Sequence, residues 1–151
     1  MRIPLLTSLN KAELTYLNNA VVISTPRKFI STEFIVDTGS PESILGYNDA
    51  VRLQIPFNSL SKSHFIELGG RKYQGYKWER ITFKFYSGEG KLISEEFPVT
   101  IIRPTSQKDN IANTPTIIGM DFLKQKRYIL FCDVSGDLAY LEKKEDISQN
   151  K

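Results

Sequence analysis

The sequence has very little of the chemistry that staples or metallates small proteins. Of its 151 residues only Cys132 is a cysteine, which excludes an intrachain disulfide framework. Only His64 is a histidine, so a Cys/His zinc cage cannot be assembled within one chain. Long apolar runs are missing too. Nothing approaches the roughly 20 residues of a transmembrane helix, and the apolar run before Thr7 is too short for a secretory signal core. Nor is there an excess of one charge: 20 Lys and Arg against 17 Asp and Glu leave +3, and the basic residues are scattered rather than blocked. That pattern has no electrostatic footprint for nucleic acid or an anionic membrane. The expectation is a soluble, intracellular, cytoplasmic chain with neither as partner. At this length and 40% hydrophobic content it should form about one domain. Such a domain buries roughly two thirds of its unfolded surface without metals or staples.

Glycine and proline are present, and their placement is informative. They separate short runs rich in Val, Ile, Phe and Tyr, which is how a chain of many short strands is punctuated. The runs predict strands at 20–24, 28–36, 64–68, 73–86, 92–102, 116–118, 128–133 and 138–141. Helical signals are brief. Asn10 with Glu13 has the form of a capping box ahead of Leu14 and Leu17, and Asn48 is placed to cap 49–53. A third short helix follows Gly119, with Phe122 and Leu123 apolar and Lys124, Lys126 and Arg127 at the end that favours cations. The absence of β-α-β alternation argues against a nucleotide-binding parallel sheet. The polar stretch 103–115 reads as a mobile surface loop, Ser135-Gly136 as a hairpin turn, and the charged tail after Leu141 as frayed.

The most informative segment is Phe34-Ile35-Val36-Asp37-Thr38-Gly39-Ser40. Three residues with β preference end at an acid, and Gly39 permits the tight turn that exposes it. On these residues alone, a functional acid and an ordinary Asp-Gly-Ser turn are both open. In context the segment resembles the active-site motif of aspartic proteases. Thr116-Ile117-Ile118-Gly119-Met120-Asp121-Phe122-Leu123 resembles the apolar-apolar-Gly segment and short helix of the retropepsins, the retroviral-type single-domain branch of that family. Between them, residues 64–85, with Gly69 and Gly70, are similar to the hairpin flap that closes over substrate. The resemblance covers about 20–141. It implies a mainly β, closed-barrel-like acid-protease fold with one or two short helices. Residues 1–19 are then an N-terminal extension and 142–151 a flexible charged tail.

The function this resemblance implies is hydrolysis of peptide bonds by two carboxylates facing one water, with no metal and no organic cofactor. Asp-Thr-Gly occurs once here, so an active enzyme has to be a homodimer with Asp37 from each subunit on the two-fold axis. Family roles carried onto this chain make Thr38 a lock across that axis and the Gly39 amide a donor to the carboxylate. Ser40 stands where retroviral enzymes often have Ala, and its hydroxyl, if directed at Asp37, should lower the apparent pKa values of the pair. Gly69 and Gly70 become the flap backbone against a peptide substrate, and Ile117, Ile118 and Gly119 the packing behind the loop. Retropepsins commonly carry an Asp–Arg ion pair bracing the dimer where this chain has Pro41 and Met120.

Other candidates read more simply. Cys132 with His64 could form a thiol site, but the apolar run 129–131 favours a buried structural thiol. Asp121, Asp133 and Asp137 lack calcium-loop spacing and fit caps and turns better than metal ligands. Tyr76 and Trp78 fit the core, and Arg71, Lys72, Lys77 and Arg80 a solvated face. The rival function is a noncatalytic peptide-binding or dimerisation module on the same fold.

Overall fold

The computed structural model describes residues 1–9, 15–106, 114–133 and 135–144. In chain order the elements are β1 (Arg2–Leu9), β2 (Thr15–Ser24), β3 (Phe29–Val36), β4 (Ile44–Leu45), α1 (Tyr47–Arg52), a 3-10 turn (Phe57–Ser59) and β5 (Lys62–Leu68). There follow β6 (Arg71–Tyr86), β7 (Leu92–Pro104), β8 (Thr116–Ile118), α2 (Met120–Gln125), β9 (Tyr128–Asp133) and β10 (Leu138–Lys143). The strands join in the order β5-β6-β7-β4-β8-β3-β2-β1-β10-β9, and an extra pairing of β2 with β6 curls the middle of the sheet over its own core. None of the described helices is long and apolar enough to cross a membrane.

All eight predicted strands are present, together with two that local pattern hides. In β1, Ile3 and Leu5 are buried on either side of Pro4, a residue that counts against a strand when only the local sequence is considered. The strand forms because Arg2–Leu5 pair with β10 and Leu6–Leu9 with β2. Residues 1–19 therefore supply β1 and the first half of β2. β4 is two residues long, too short to show a period. The helix predicted over Leu17 is instead strand: residues 10–14 lie outside the described residues, but from Thr15 the chain pairs with β1 and then β3. Two-sided pairing outweighs a local capping signal. β7 likewise runs on to Pro104, into the stretch predicted as loop, and 107–113 lie outside the described residues.

Bulges set which residues face inward. Between Trp78 and Ile81 the β6–β7 register shifts, and beyond it the buried set becomes Ile81, Phe83 and Phe85. Pro98, which has no N–H to give the ladder, lies in β7 opposite that shift. The main core gathers around Phe122 of α2. Its ring meets Phe83, Phe85 and Phe97 edge-on at centroid distances of 5.9, 6.0 and 5.2 Å and stacks on Tyr128 at 5.6 Å. The Tyr128 hydroxyl donates to Glu95, buried on β7, at 2.9 Å, and Lys143 and Lys126 supply the opposite charge. Burial, reinforced by the Glu95 carboxylate, pushes the Tyr128 phenol well above its usual range. A smaller cluster holds Ile44, Ile66, Tyr73, Ile102 and Ile117. Truncating Phe122 removes the hub of the larger cluster: Phe122→Ala should lower unfolding free energy by about 3–5 kcal/mol in urea denaturation, whereas Phe122→Leu should lose less.

Candidate active site

β3 carries Phe34 and Val36 into the core and stops at Asp37, whose backbone N–H donates to the Ile118 carbonyl at 3.1 Å. The chain then turns: Ser40 N–H donates to the Asp37 carbonyl at 3.1 Å, and the Gly39 amide to Asp37 Oδ1 at 2.8 Å. Asp37, Thr38 and Gly39 are exposed while Ser40 is buried. The acid is thus held at a rigid strand end with the carboxylate facing outward, and the Gly39 amide occupies the donor position assigned to it from sequence.

What makes the end rigid is β8. It runs parallel to β3, with Ile35 opposite Ile117, and antiparallel to β4, with Ile44 opposite Ile117. The loop 37–43 joins β3 to β4 around the end of β8. Gly119 is packed against that loop so closely that a Cβ there would lie 2.4 Å from the Glu42 carbonyl oxygen and 2.9 Å from that of Ser40. Only glycine fits, because the crowding atoms are backbone. The Met120 amide donates to the Ser40 carbonyl at 2.9 Å. Ser43, fully buried, accepts from the Gly119 amide at 2.9 Å and donates to Asp121 Oδ1 at 2.7 Å. Asp121 Oδ1 also accepts the Phe122 amide at 2.7 Å; this acid, expected to cap or decorate a turn, lies in the first turn of α2, which follows Gly119 with no side-chain cap. Ile118 packs in the main core and Ile117 in the smaller cluster, so the two supports face opposite sides.

Two details correct the sequence reading. The Ser40 hydroxyl, expected to tune the pair if directed at Asp37, donates instead to the Glu42 carbonyl at 2.7 Å; it closes the loop's own turn. Asn48, expected as a helix cap, lies inside α1, which follows Gly46 with no side-chain cap. The residue that matters there is Asp49. It accepts from Thr116 at 2.7 Å, Thr32 at 3.1 Å and Arg52 at 3.1 Å, fixing α1 to β3 and β8.

Gly69 and Gly70 form the two-residue turn between β5 and β6, with φ of 56° and 74°, the left-handed pair a tight hairpin demands. The hairpin stem contributes Ile66 and Tyr73 to the cluster that holds Ile117. Tyr76 is core, Trp78 is half-buried, and Arg71, Lys72, Lys77 and Arg80 are exposed. Sequence reasoning missed Ser43, Glu42 and Thr100. The Glu42 carboxylate takes Thr100 Oγ1 at 2.6 Å and His64 Nε2 at 2.6 Å.

The remaining candidates are not brought together. Cys132, expected buried, is exposed, because its apolar run lies on β9, an end strand that among the described residues pairs only with β10. His64 is at the other end of the sheet order, on β5. Asp133 accepts from the hydroxyl and amide of Ser135 and the amide of Gly136, closing the hairpin turn predicted there. Those bonds hold its carboxyl below the ordinary range. Among the described residues no group of three or more His, Cys, Asp or Glu side chains is arranged to hold a metal ion.

No protein-family model matches the chain, and no curated protein does. Among solved structures, a retropepsin-like aspartic protease from Rickettsia conorii superimposes with a TM-score of 0.59 at 16% identity, covering 95% of this chain and 91% of that one. The retroviral protease-like domain of Ddi1 from Leishmania major matches with a TM-score of 0.42 at 16% identity, over 83% of this chain and 95% of that one. The fold is retropepsin-like. Within it Ser43 bridges the loop to Gly119 and α2, so Ser43→Ala should cost about 1–3 kcal/mol in chemical denaturation, the range for stranding buried polar partners.

Proposed function

We propose that two copies of this chain assemble into an aspartic endopeptidase that hydrolyses extended peptides, each copy supplying Asp37. The observation that carries this reading is the single outward-facing carboxylate at the end of β3, held by the Gly39 amide on a loop that β8 braces through Ile118 and Gly119. The retropepsin-like fold supports it, as does the one Asp-Thr-Gly per chain, which makes half a catalytic pair.

Two close carboxylates cannot both ionise cheaply, so the pair holds one proton and titrates as a unit. The ionised Asp37 takes a proton from water as its oxygen bonds to the peptide carbonyl carbon. The protonated one gives its proton to the carbonyl oxygen. When the tetrahedral diol collapses, one diol hydroxyl gives its proton back to the ionised Asp37 as the C–N bond breaks and the nitrogen takes the proton held by the other, so acid and amine leave with the pair again singly protonated. Thr38 is exposed beside Asp37, where it can meet the partner's loop. Pro41 and Met120 are exposed as well and offer that partner an uncharged face in place of an ion pair. Replacing both members of a salt bridge leaves no orphan charge. Gly69 and Gly70 leave the hairpin tip free of side chains, so that a peptide can add as a further strand.

Asp37→Asn is the direct test. It should reduce cleavage of a mixed peptide library about a thousandfold or more between acidic and neutral pH, while sedimentation shows the same assembly as the wild type. Wild-type specific activity should rise with protein concentration as protomers pair. A wild-type chain that binds peptides but cleaves none over that pH range at high concentration would instead be a noncatalytic binding module.

A further inference from the structure

A polar connection joins the hairpin tipped by Gly69 and Gly70 to the Asp37 loop, and the strand irregularity beside it shows how that connection is made. On β5 two residues, Ser63 and His64, stand opposite the single Gly75 of β6, because Lys62 pairs with Tyr76 and Phe65 with Gln74. Such a bulge re-aims a side chain. Gly75 is what admits it: a Cβ there would lie 2.7 Å from both the His64 carbonyl and Ser63 Oγ, and 3.2 Å from Thr100 Cγ2. With that space open, His64 on β5 and Thr100 on β7 reach the same carboxylate, one oxygen each, both at 2.6 Å. That carboxylate is Glu42, five residues after Asp37, and its own carbonyl touches Ser40 and crowds Gly119.

We infer that Glu42 is a positioning residue, a clamp that Thr100 of β7 fixes in place and through which His64 holds the glycine-tipped hairpin at a set distance from the Asp37 loop. An isolated exposed ion pair contributes little. Here, however, both carboxylate oxygens are engaged by different strands, Glu42 is about three-quarters buried, and a backbone bulge is spent on aiming the imidazole. The effect is therefore on hairpin position rather than on overall stability. In the proposed peptidase, where the hairpin covers the substrate, the clamp governs how tightly a peptide is held and leaves the bond-breaking step to Asp37.

The part of this inference that concerns peptide cleavage rests on the proposed peptidase; the structural part does not, and the experiment separates them. Amide hydrogen exchange of the full chain is followed in Glu42→Ala, His64→Ala and the double variant. Each single change should speed exchange in residues 62–76 roughly tenfold, as expected for losing one charge-assisted hydrogen bond, and the double variant should exchange no faster than the faster single. Residues 29–36 should exchange as in the wild type, and Glu42→Gln, which keeps an acceptor for Thr100 and a polar partner for His64, should restore part of the protection. With an active wild type, His64→Ala should raise KM several-fold with kcat within about twofold. Hairpin exchange unchanged in His64→Ala, or single effects that multiply in the double variant, would overturn the clamp. If the wild type cleaves nothing, the peptidase reading fails alone and the exchange data still decide the clamp.

Discussion

Everything about the candidate site depends on one crossing, where the segment from Ile117 to Gly119 lies between the two strands that the Asp37 loop connects. The loop is stitched to that segment by Asp37 N–H to Ile118, Met120 N–H to Ser40 and Gly119 N–H to Ser43. Two of these bonds are backbone to backbone, so the place of the carboxylate is set by main chain rather than by neighbouring side chains. This is why the loop tolerates Pro41 and Met120: neither side chain takes part in the stitching. It also explains why Gly119 has no substitute, since the atoms it meets belong to peptide groups that themselves hold the loop.

The crossing was legible in the sequence only in its two halves. An apolar run ending in Asp37-Thr38-Gly39 and a second ending in Gly119 each announced a strand stopping at a special turn. Residue types and Gly/Pro spacing also sufficed for eight strands and the helix after Gly119. What local pattern could not carry was pairing over long separation. β1 depends on β10, from the other end of the chain, and its Pro4 argues against it locally. β4 exists only because β7 and β8 flank it. The Ser40 hydroxyl goes to the Glu42 carbonyl, a partner set by the turn's own backbone and not by the motif. The apolar neighbours of Cys132 predict burial, yet at the end of the described sheet β9 leaves Ile129, Phe131 and Cys132 exposed. Glu42 and Thr100 give no signal because they meet across a long stretch of chain, and the other partner of Glu42, His64, is aimed by a bulge that no local periodicity reveals.

α2 extends the same constraint into the rest of the molecule. Phe122 follows Gly119 by three residues and stacks on Tyr128, whose hydroxyl reaches Glu95 on β7. A buried carboxylate is costly unless paired. Here Lys126 and Lys143 satisfy it from two different elements, one just after α2 and one at the end of β10. Because β10 pairs with β1 and β9, the terminal strands are tied to the helix that braces the site. Ile117 makes the complementary connection on the other side, through Ile66 and Tyr73, to the glycine-tipped hairpin.

These connections divide the work of the proposed enzyme unevenly between the single chain and the pair. Within one chain the loop geometry is complete: hydrogen bonds, glycine packing and core contacts are all internal. The proposed chemistry is not, because Asp37 is exposed and the second acid of the pair would come from another copy. In that proposal, association would supply both the partner carboxylate and the exclusion of solvent that makes their interaction strong. A face carrying Thr38, Pro41 and Met120 suits that purpose, since it can be buried without stranding a charge. Its lack of an ion pair also removes a long-range orienting force, so the register of the two protomers has to come from the fit of the loops. A loop held by main-chain bonds to β8 is stiff enough to impose that register, which makes the crossing behind Asp37 the element that would align the two acids.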